Sequence, residues 1–263
     1  MIGRLAPAKL NLALVVGPTR PDGRHEVATV LQRISLADRI RLEPSSELRV
    51  DGFAEDTIVR AALEELAAGA GVEPAWRVVI EKHIPVAAGL GGGSSDAAAA
   101  LGLANETLRE PLDASALHTL AARLGADVPF FLTAGPQLGE GDGTTLQPLA
   151  LPQDYWILLL LPHEERKSST AAVYSAFTGE DGFAERRAGV MRALALGDLA
   201  ALPPNDLASS PLGDDLRAFG AFRAEVSGAG PIVFGLFAEQ ETAIVAHAAL
   251  GDRGRAWVAT PAW

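Results

Sequence analysis

No stretch of this 263-residue chain restricts its fold more than PVAAGLGGGSSDAAAAL, Pro85 to Leu101. It holds four glycines, then two serines, an aspartate and a run of alanines, with no basic and no aromatic residue. Glycines admit φ > 0 and close approach of the backbone to a ligand, so successive N–H groups can converge on one anion. Ser94 and Ser95 can cap a helix whose N-terminus adds a partial positive charge. Ala97 to Ala100 keep that helix thin. The stretch reads either as a glycine-rich turn ahead of an alanine-rich helix or as a loop that wraps a phosphate. Two familiar phosphate loops fail on spacing. No lysine follows the glycines as a Walker A loop requires, and Ser94 stands where the third glycine of a Rossmann fingerprint would be.

Elsewhere the pattern predicts a mixed order of strands and helices, an α+β chain. In LAPAKLNLALVV, Leu10, Leu12 and Leu14 alternate with Lys9 and Asn11, which places Lys9 and Asn11 together on one face of a strand. Gly17 to Glu26 reads as a turn-rich loop, Val27 to Glu43 as one or two strands, and Arg77 to Pro85 as another. EDTIVRAALEELAAGAG suits a helix. A second helix is expected to begin at Ser95 or Asp96 and reach Leu108. A third has Asp113 as N-cap and Gly125 at its end. ADVPFFL then puts Asp127 at a helix-to-strand corner. Thr133 to Asp154 is rich in turn formers, and a domain boundary is expected there, dividing the chain into 1–150 and 151–263. YWILLLLP reads as a buried strand, too short to span a bilayer. Helices are expected around Ser168–Phe177 and Gly182–Leu196, and VSGAGPIVFGLF as a glycine turn entering an apolar strand.

Charge narrows the classes of partner. Lys+Arg is 22 against Asp+Glu 33, which argues against a phosphate-backbone footprint and so against nucleic acid. A small anion can still bind in a local nest of N–H groups. With no cysteine, disulfides, thiolate metal sites and cysteine nucleophiles are excluded. No convincing signal-peptide cleavage region is present, and a cytoplasmic protein with no membrane partner is the expectation.

Taken together, the segments resemble the GHMP small-molecule kinases. Pro85–Leu101 is similar to their second motif, P-x-x-x-G-L-G-S-S-A-A. The expanded form G-L-G-G-G-S-S-D/N-A-A resembles the branch whose acceptor is a cytidine-diphosphate-linked sugar alcohol of the non-mevalonate isoprenoid route. APAKLNL (Ala6–Leu12), DGRHE (Asp22–Glu26), LGADVPFFL (Leu124–Leu132), NDL (Asn205–Leu207) and SGAGPIVFGLF (Ser227–Phe237) match further family segments in order along the chain.

The resemblance implies a two-domain GHMP kinase fold. Its N-terminal part would be like domain 2 of ribosomal protein S5 and its C-terminal part ferredoxin-like. ATP would bind along Pro85, Val86, Ala87, Ala88, Gly89, Leu90, Gly91, Gly92, Gly93, Ser94 and Ser95, with Mg2+ as cofactor and Ser95 as a candidate ligand to it. Asp127 would accept or orient the proton of the acceptor hydroxyl, and Lys9 would offset the developing negative charge. Asn11 and Thr170 would contact the acceptor, His25 would read the cytosine by hydrogen bonding, and Tyr174 would stack on it.

Each of these residues also has a plain structural reading: a solvated strand lysine, a turn aspartate, a packing histidine, a core tyrosine. The pattern also has departures. Arg24 stands where the family has a tyrosine before the histidine, and Ala229 where serine is common. Asp56-Thr57-Ile58 replaces Asp-Asn-Leu, and GEGDG (Gly139–Gly143) lacks a following glutamate. A kinase of homoserine or mevalonate, and a non-catalytic binding protein on the same scaffold, stay open as alternatives.

Overall fold

The alternating residues of the N-terminus become one long strand, and a second long strand follows after a tight turn. The computed structural model describes residues 1–54, 58–163, 170–179 and 182–263. Among these the elements are β1 (Ile2–Thr19), β2 (His25–Pro44), β3 (Arg49–Asp51), α1 (Ile58–Ala70), β4 (Trp76–Glu81), α2 (Gly92–Thr107), α3 (Ala114–Leu124), α4 (Val128–Leu132), β5 (Gln137–Gly141), β6 (Thr145–Pro148), β7 (Trp156–Pro162), α5 (Thr170–Ser175), α6 (Phe183–Leu196), α7 (Leu212–Ala218), β8 (Arg223–Val226), β9 (Val233–Phe237), α8 (Gln240–Leu250), β10 (Gly254–Ala259) and β11 (Pro261–Ala262). Among the described residues no helix is long and apolar enough to cross a membrane.

The chain forms two compact units, each discontinuous in sequence. The first comprises Met1–Ala8, Leu36–Val86 and Gly91–Ala134, and the second Lys9–Ser35, Ala87–Leu90 and Gly135–Trp263. Strands β1 and β2 both pass from one unit to the other.

In the first unit β4 pairs antiparallel with residues 39–44 of β2 and parallel with β3. α1 buries Val59, Ala62, Leu63, Leu66 and Ala67, the i, i+3, i+4, i+7 stripe of an amphipathic helix. α2 packs against α1 and α4. Its residues from Ser95 to Leu101 are all buried, which its alanines permit by leaving room for neighbours on every side. This helix starts at Gly92 and not at Ser95 or Asp96. Gly91 is its N-cap with φ 68°, and among the described residues no side chain caps it. The left-handed conformation that glycine adopts without strain starts the helix three residues before the serines could. α3 follows expectation: Asp113 accepts the Ala116 N–H at 2.8 Å, and Gly125 ends the helix. ADVPFFL is a short helix, not a strand, so Asp127 lies at a helix-to-helix corner. Pro129 sits in its first turn, where a missing N–H costs nothing.

In the second unit residues 27–31 of β2 pair with β5, and β5 with β6. The turn formers of Thr133–Asp154 therefore include those of a hairpin. Gly141 and Gly143 have φ of 70° and 97°, and Asp142 Oδ1 accepts from the Thr144 N–H and hydroxyl. The loop expected from Gly17 to Glu26 is shorter, because β1 continues to Thr19 and β2 begins at His25. A separate antiparallel sheet has the order β10-β7-β9-β8. With its helices it follows a β-α-β-β-α-β course, the ferredoxin-like arrangement. Ile157 to Leu160 of β7 are fully buried, as the apolar run predicts for an interior strand. α7 and α8 both pack on this sheet.

Candidate active site

In the second unit, β1 holds Lys9 and Asn11 on one face, both nearly inaccessible to solvent. Lys9 Nζ donates to Asn11 Oδ1 at 2.5 Å. Asn11 Nδ2 donates to Thr29 Oγ1 at 2.8 Å, and that hydroxyl donates to the Ala13 carbonyl at 2.8 Å. The glycine loop is fastened to the same strand. Lys9 N–H donates to Leu90 O at 2.9 Å. Ser227 Oγ donates to Gly89 O and accepts from Asn11 N–H, both at 3.2 Å.

Close packing explains two glycines here. A Cβ on Gly89 would lie 2.5 Å from Ser227 O, and one on Gly228 would lie 3.1 Å from Asn11 Oδ1, with φ of 84° and 59° respectively. Asn205 holds the turn bearing Gly228, its Nδ2 donating to Val226 O at 2.8 Å and Gly228 O at 2.7 Å. Arg223 is buried on β8. Its Nε donates to Leu12 O at 2.9 Å, Nη1 to Leu202 O at 2.5 Å and Nη2 to Pro203 O at 2.7 Å. Burial lowers its pKa to about 10.

The loop backbone turns repeatedly through the left-handed region: Ala87 (φ 56°), Gly89 (84°) and Gly91 (68°). Left-handed residues interleaved with others can aim successive N–H groups at one anion. Ala87 adopts a conformation that costs an L-residue about 1 kcal/mol or more. Val86 is exposed and Ala88 and Leu90 buried, so the loop alternates between an anchored and an open side.

In the first unit, Ser95 Oγ and Asp96 Oδ1 are buried on α2 with no hydrogen-bond partner among the described residues. The other Asp96 oxygen accepts from Lys82 Nζ at 2.7 Å. Lys82 Nζ also donates to Asp38 Oδ2, and Asp38 Oδ1 accepts the Ile84 N–H at 2.8 Å. This buried triad ties the segment entering the loop to the helix leaving it. Burial raises the Asp96 pKa to about 7, with Lys82 opposing the rise. The side chain of Asp127, at the N-cap position of α4, is not used to cap that helix.

Around the turn joining β1 and β2, His25 Nδ1 hydrogen-bonds Gly17 O at 2.9 Å. Its ring centroid lies 6.0 Å from that of Tyr174 and 5.8 Å from that of Phe177. Thr170 begins α5 one turn before Tyr174, on the same helix face. Arg24 Nη1 pairs with Asp142 Oδ2 at 2.5 Å, joining the β1–β2 turn to the β5–β6 turn.

Residues 57–135 match the family model described as the GHMP kinases N terminal domain. The 4-diphosphocytidyl-2-C-methyl-D-erythritol kinase of Syntrophus aciditrophicus is 36% identical over 270 residues, covering 97% of this chain and 96% of that one. The chain belongs to the 4-diphosphocytidyl-2-C-methyl-D-erythritol kinase family. A crystal structure of a 4-(cytidine 5'-diphospho)-2C-methyl-D-erythritol kinase superposes with a TM-score of 0.84 at 35% identity, each chain fully covered. A homoserine kinase from Cytophaga hutchinsonii reaches 0.77 at 19% identity, covering 99% of this chain and 94% of that one, which is likeness of fold alone.

Within the 4-diphosphocytidyl-2-C-methyl-D-erythritol kinase family, the expected site residues fall into three groups here. Lys9 and Asn11 are joined with Gly89, Leu90, Ser227 and Gly228. His25 is joined with Tyr174. Ser95 and Asp127 belong to the first unit. Asp56 and Thr57 of the altered Asp-Asn-Leu segment lie outside the described residues. Asn205 and Asp206 of the NDL segment fasten backbone: Asp206 Oδ2 accepts the Val16 N–H at 2.9 Å and Arg186 Nε at 3.0 Å.

Sequence reasoning passed over Thr29 and the Asp38–Lys82–Asp96 triad. The one signal for the triad was Lys82 directly before the loop. Among the described residues no group of three or more His, Asp or Glu side chains could hold a metal ion. The unpartnered Ser95 hydroxyl does fit a magnesium ion that takes most of its ligands from phosphate and water.

Proposed function

We infer that the protein transfers the γ-phosphoryl group of ATP to the 2-hydroxyl of 4-diphosphocytidyl-2-C-methyl-D-erythritol. The products are the 2-phosphate and ADP, in the non-mevalonate route to isoprenoid precursors. The observation that carries this is end-to-end kinship with kinases of that substrate, with the motif residues Lys9, Gly89, Ser95 and Asp127 all present.

The roles of individual residues are part of the proposal. Residues 85–95 form the ATP loop, their backbone N–H groups receiving phosphate oxygens. Asp127 takes or orients the proton of the acceptor hydroxyl while the hydroxyl oxygen bonds the γ-phosphorus and the bond to the ADP oxygen breaks. Lys9 offsets the negative charge that develops as this happens. Asn11 Oδ1 keeps a second lone pair for the acceptor, next to Lys9. His25 reads the cytosine amino group, Tyr174 stacks on the ring, and Thr170 contacts the same ligand.

Ser95 would hold Mg2+, which when bound neutralises charge on the phosphates. Residues 1–150 would serve as the domain carrying the loop and the catalytic pair, and 151–263 as the second domain. A cytoplasmic location, where ATP is supplied, belongs to the same reading.

The test is to offer the cytidyl substrate, homoserine and mevalonate separately with ATP and magnesium and measure ADP release. Turnover of the cytidyl substrate alone is expected. Turnover of mevalonate or homoserine without it would overturn the reading.

A further inference from the structure

Thr29 lies on β2 among Val27, Ala28, Val30 and Leu31, all buried, and is itself buried. A hydroxyl in such surroundings is costly unless hydrogen-bonded. Its bonds do more than satisfy it. Thr29 Oγ1 lies 2.8 Å from the Ala13 carbonyl and 2.8 Å from Asn11 Nδ2. A carbonyl can only accept, so the single hydroxyl proton goes to Ala13 O, and only lone pairs face Asn11. The amide must therefore turn its NH2 to Thr29. Its oxygen then points the other way, to Lys9 Nζ at 2.5 Å. Gly228 confines the amide from a third side, with a Cβ there only 3.1 Å from Asn11 Oδ1.

We propose that Thr29 is a positioning residue for Lys9, acting by fixing the orientation of the Asn11 amide. The reversed amide would set an NH2 donor against the ammonium, both nearly excluded from water, and Lys9 would be displaced from its place beside the loop. Removing the hydroxyl leaves the buried Asn11 Nδ2 without this acceptor and the amide held from the Lys9 side alone, although the shape of the strand can be kept. The inference rests on the reading of Lys9 as the charge-bearing group of the transfer.

The experiment compares Thr29→Val, Thr29→Ser, Asn11→Ala and the Thr29→Val/Asn11→Ala double variant, with Lys9→Met as a separate control. Thermal unfolding checks each for folding, and Thr29→Ala replaces Thr29→Val should the valine not be accommodated. Thr29→Val is expected to lower kcat about tenfold to a hundredfold, the scale set by displacing a group through an ångström or less. KM for ATP should move by no more than about twofold, since no loop contact is altered. Thr29→Ser should recover most of the lost kcat. In the Asn11→Ala background Thr29→Val should have no further effect, because the two act in series.

Wild-type kcat in Thr29→Val, a loss that serine does not repair, or an equal loss with and without Asn11 would each overturn the proposal. Lys9→Met keeps the two levels apart. If it retains full turnover, the reading of Lys9 fails. If it is inactive while Thr29→Val is unimpaired, only the positioning role fails.

Discussion

His25 Nδ1 lies 2.9 Å from the carbonyl oxygen of Gly17. A carbonyl accepts and cannot donate, so Nδ1 carries the proton of the neutral ring and Nε2 carries the lone pair. The backbone of β1 thereby selects the tautomer whose other nitrogen can accept from an exocyclic amino group. Replacing His25 by alanine should raise KM for the cytidyl substrate by about 10-fold or more, and phenylalanine should not restore it, since the lost element is an acceptor. KM for ATP should be unaffected. Steady-state kinetics with each substrate varied in turn checks this, and an equal rise in both KM values would contradict it.

Asp127→Asn keeps the shape at the start of α4 and removes the carboxylate. With the proposed proton acceptor gone, kcat should fall by about 10²–10⁴-fold. Binding of ATP, followed by calorimetry or by fluorescence of a nucleotide analogue, should stay near the wild-type level. Comparable turnover in the variant would refute the assigned role.

Gly89→Ala meets two penalties at once. Its φ is 84°, and the new Cβ would lie 2.5 Å from Ser227 O and 3.0 Å from Gly230 O, both backbone atoms that cannot swing aside. A loss of about 1–3 kcal/mol of stability with a raised KM for ATP is expected. Gly23→Ala is the control, with φ of 81° but nothing among the described residues within 4 Å of a Cβ there. It should cost less and leave KM for ATP unchanged. Thermal unfolding and ATP kinetics on both variants decide it.

Stability should depend on pH through Asp96. Burial raises its pKa from the ordinary 3.8 to about 7 in the fold, so the folded state holds the proton more tightly than the unfolded chain. This contribution is fully present below about pH 4 and is lost as pH rises toward about 7. Asp96→Asn should flatten the fall in Tm across that interval. Unchanged slopes in wild type and variant would show that another group is responsible.

Much of the architecture could be read from residue spacing, because in those places local preference and burial agree. The β1 alternation, the α1 stripe, the Asp113 cap and the apolar run of β7 each point to one answer. Discrepancies arise where two local signals compete. Ahead of α2, serine's capping preference competes with the left-handed freedom of Gly91, and the glycine wins. In ADVPFFL, paired phenylalanines suggest a strand, while Pro129 is equally suited to a first helical turn.

The motif segments marked Lys9, His25 and Asp127, but the motifs do not show what holds them. Lys82 meets Asp38 and Asp96 across sequence separations of 44 and 14 residues. In a linear reading it is one more charge at a strand end. Thr29 fits a β-branched strand pattern so well that its hydroxyl passes unnoticed. The two compact units were hidden too, because β1 and β2 are continuous strands that run from one into the other.

The ties made by Ser227 and Arg223 also have a consequence in time. Asn11 N–H bonds Ser227 Oγ across 216 residues, and Arg223 Nε bonds Leu12 O across 211. At a synthesis rate of roughly 5–20 residues per second, the groups that fasten this strand follow it by 216 and 211 residues. The growing chain carries Lys9 without these two ties on its strand for about ten seconds or more at that rate. Catalytic competence should therefore arise abruptly, after β8 and the turn at Ser227 have emerged, and a nascent chain stalled before Arg223 should show no turnover.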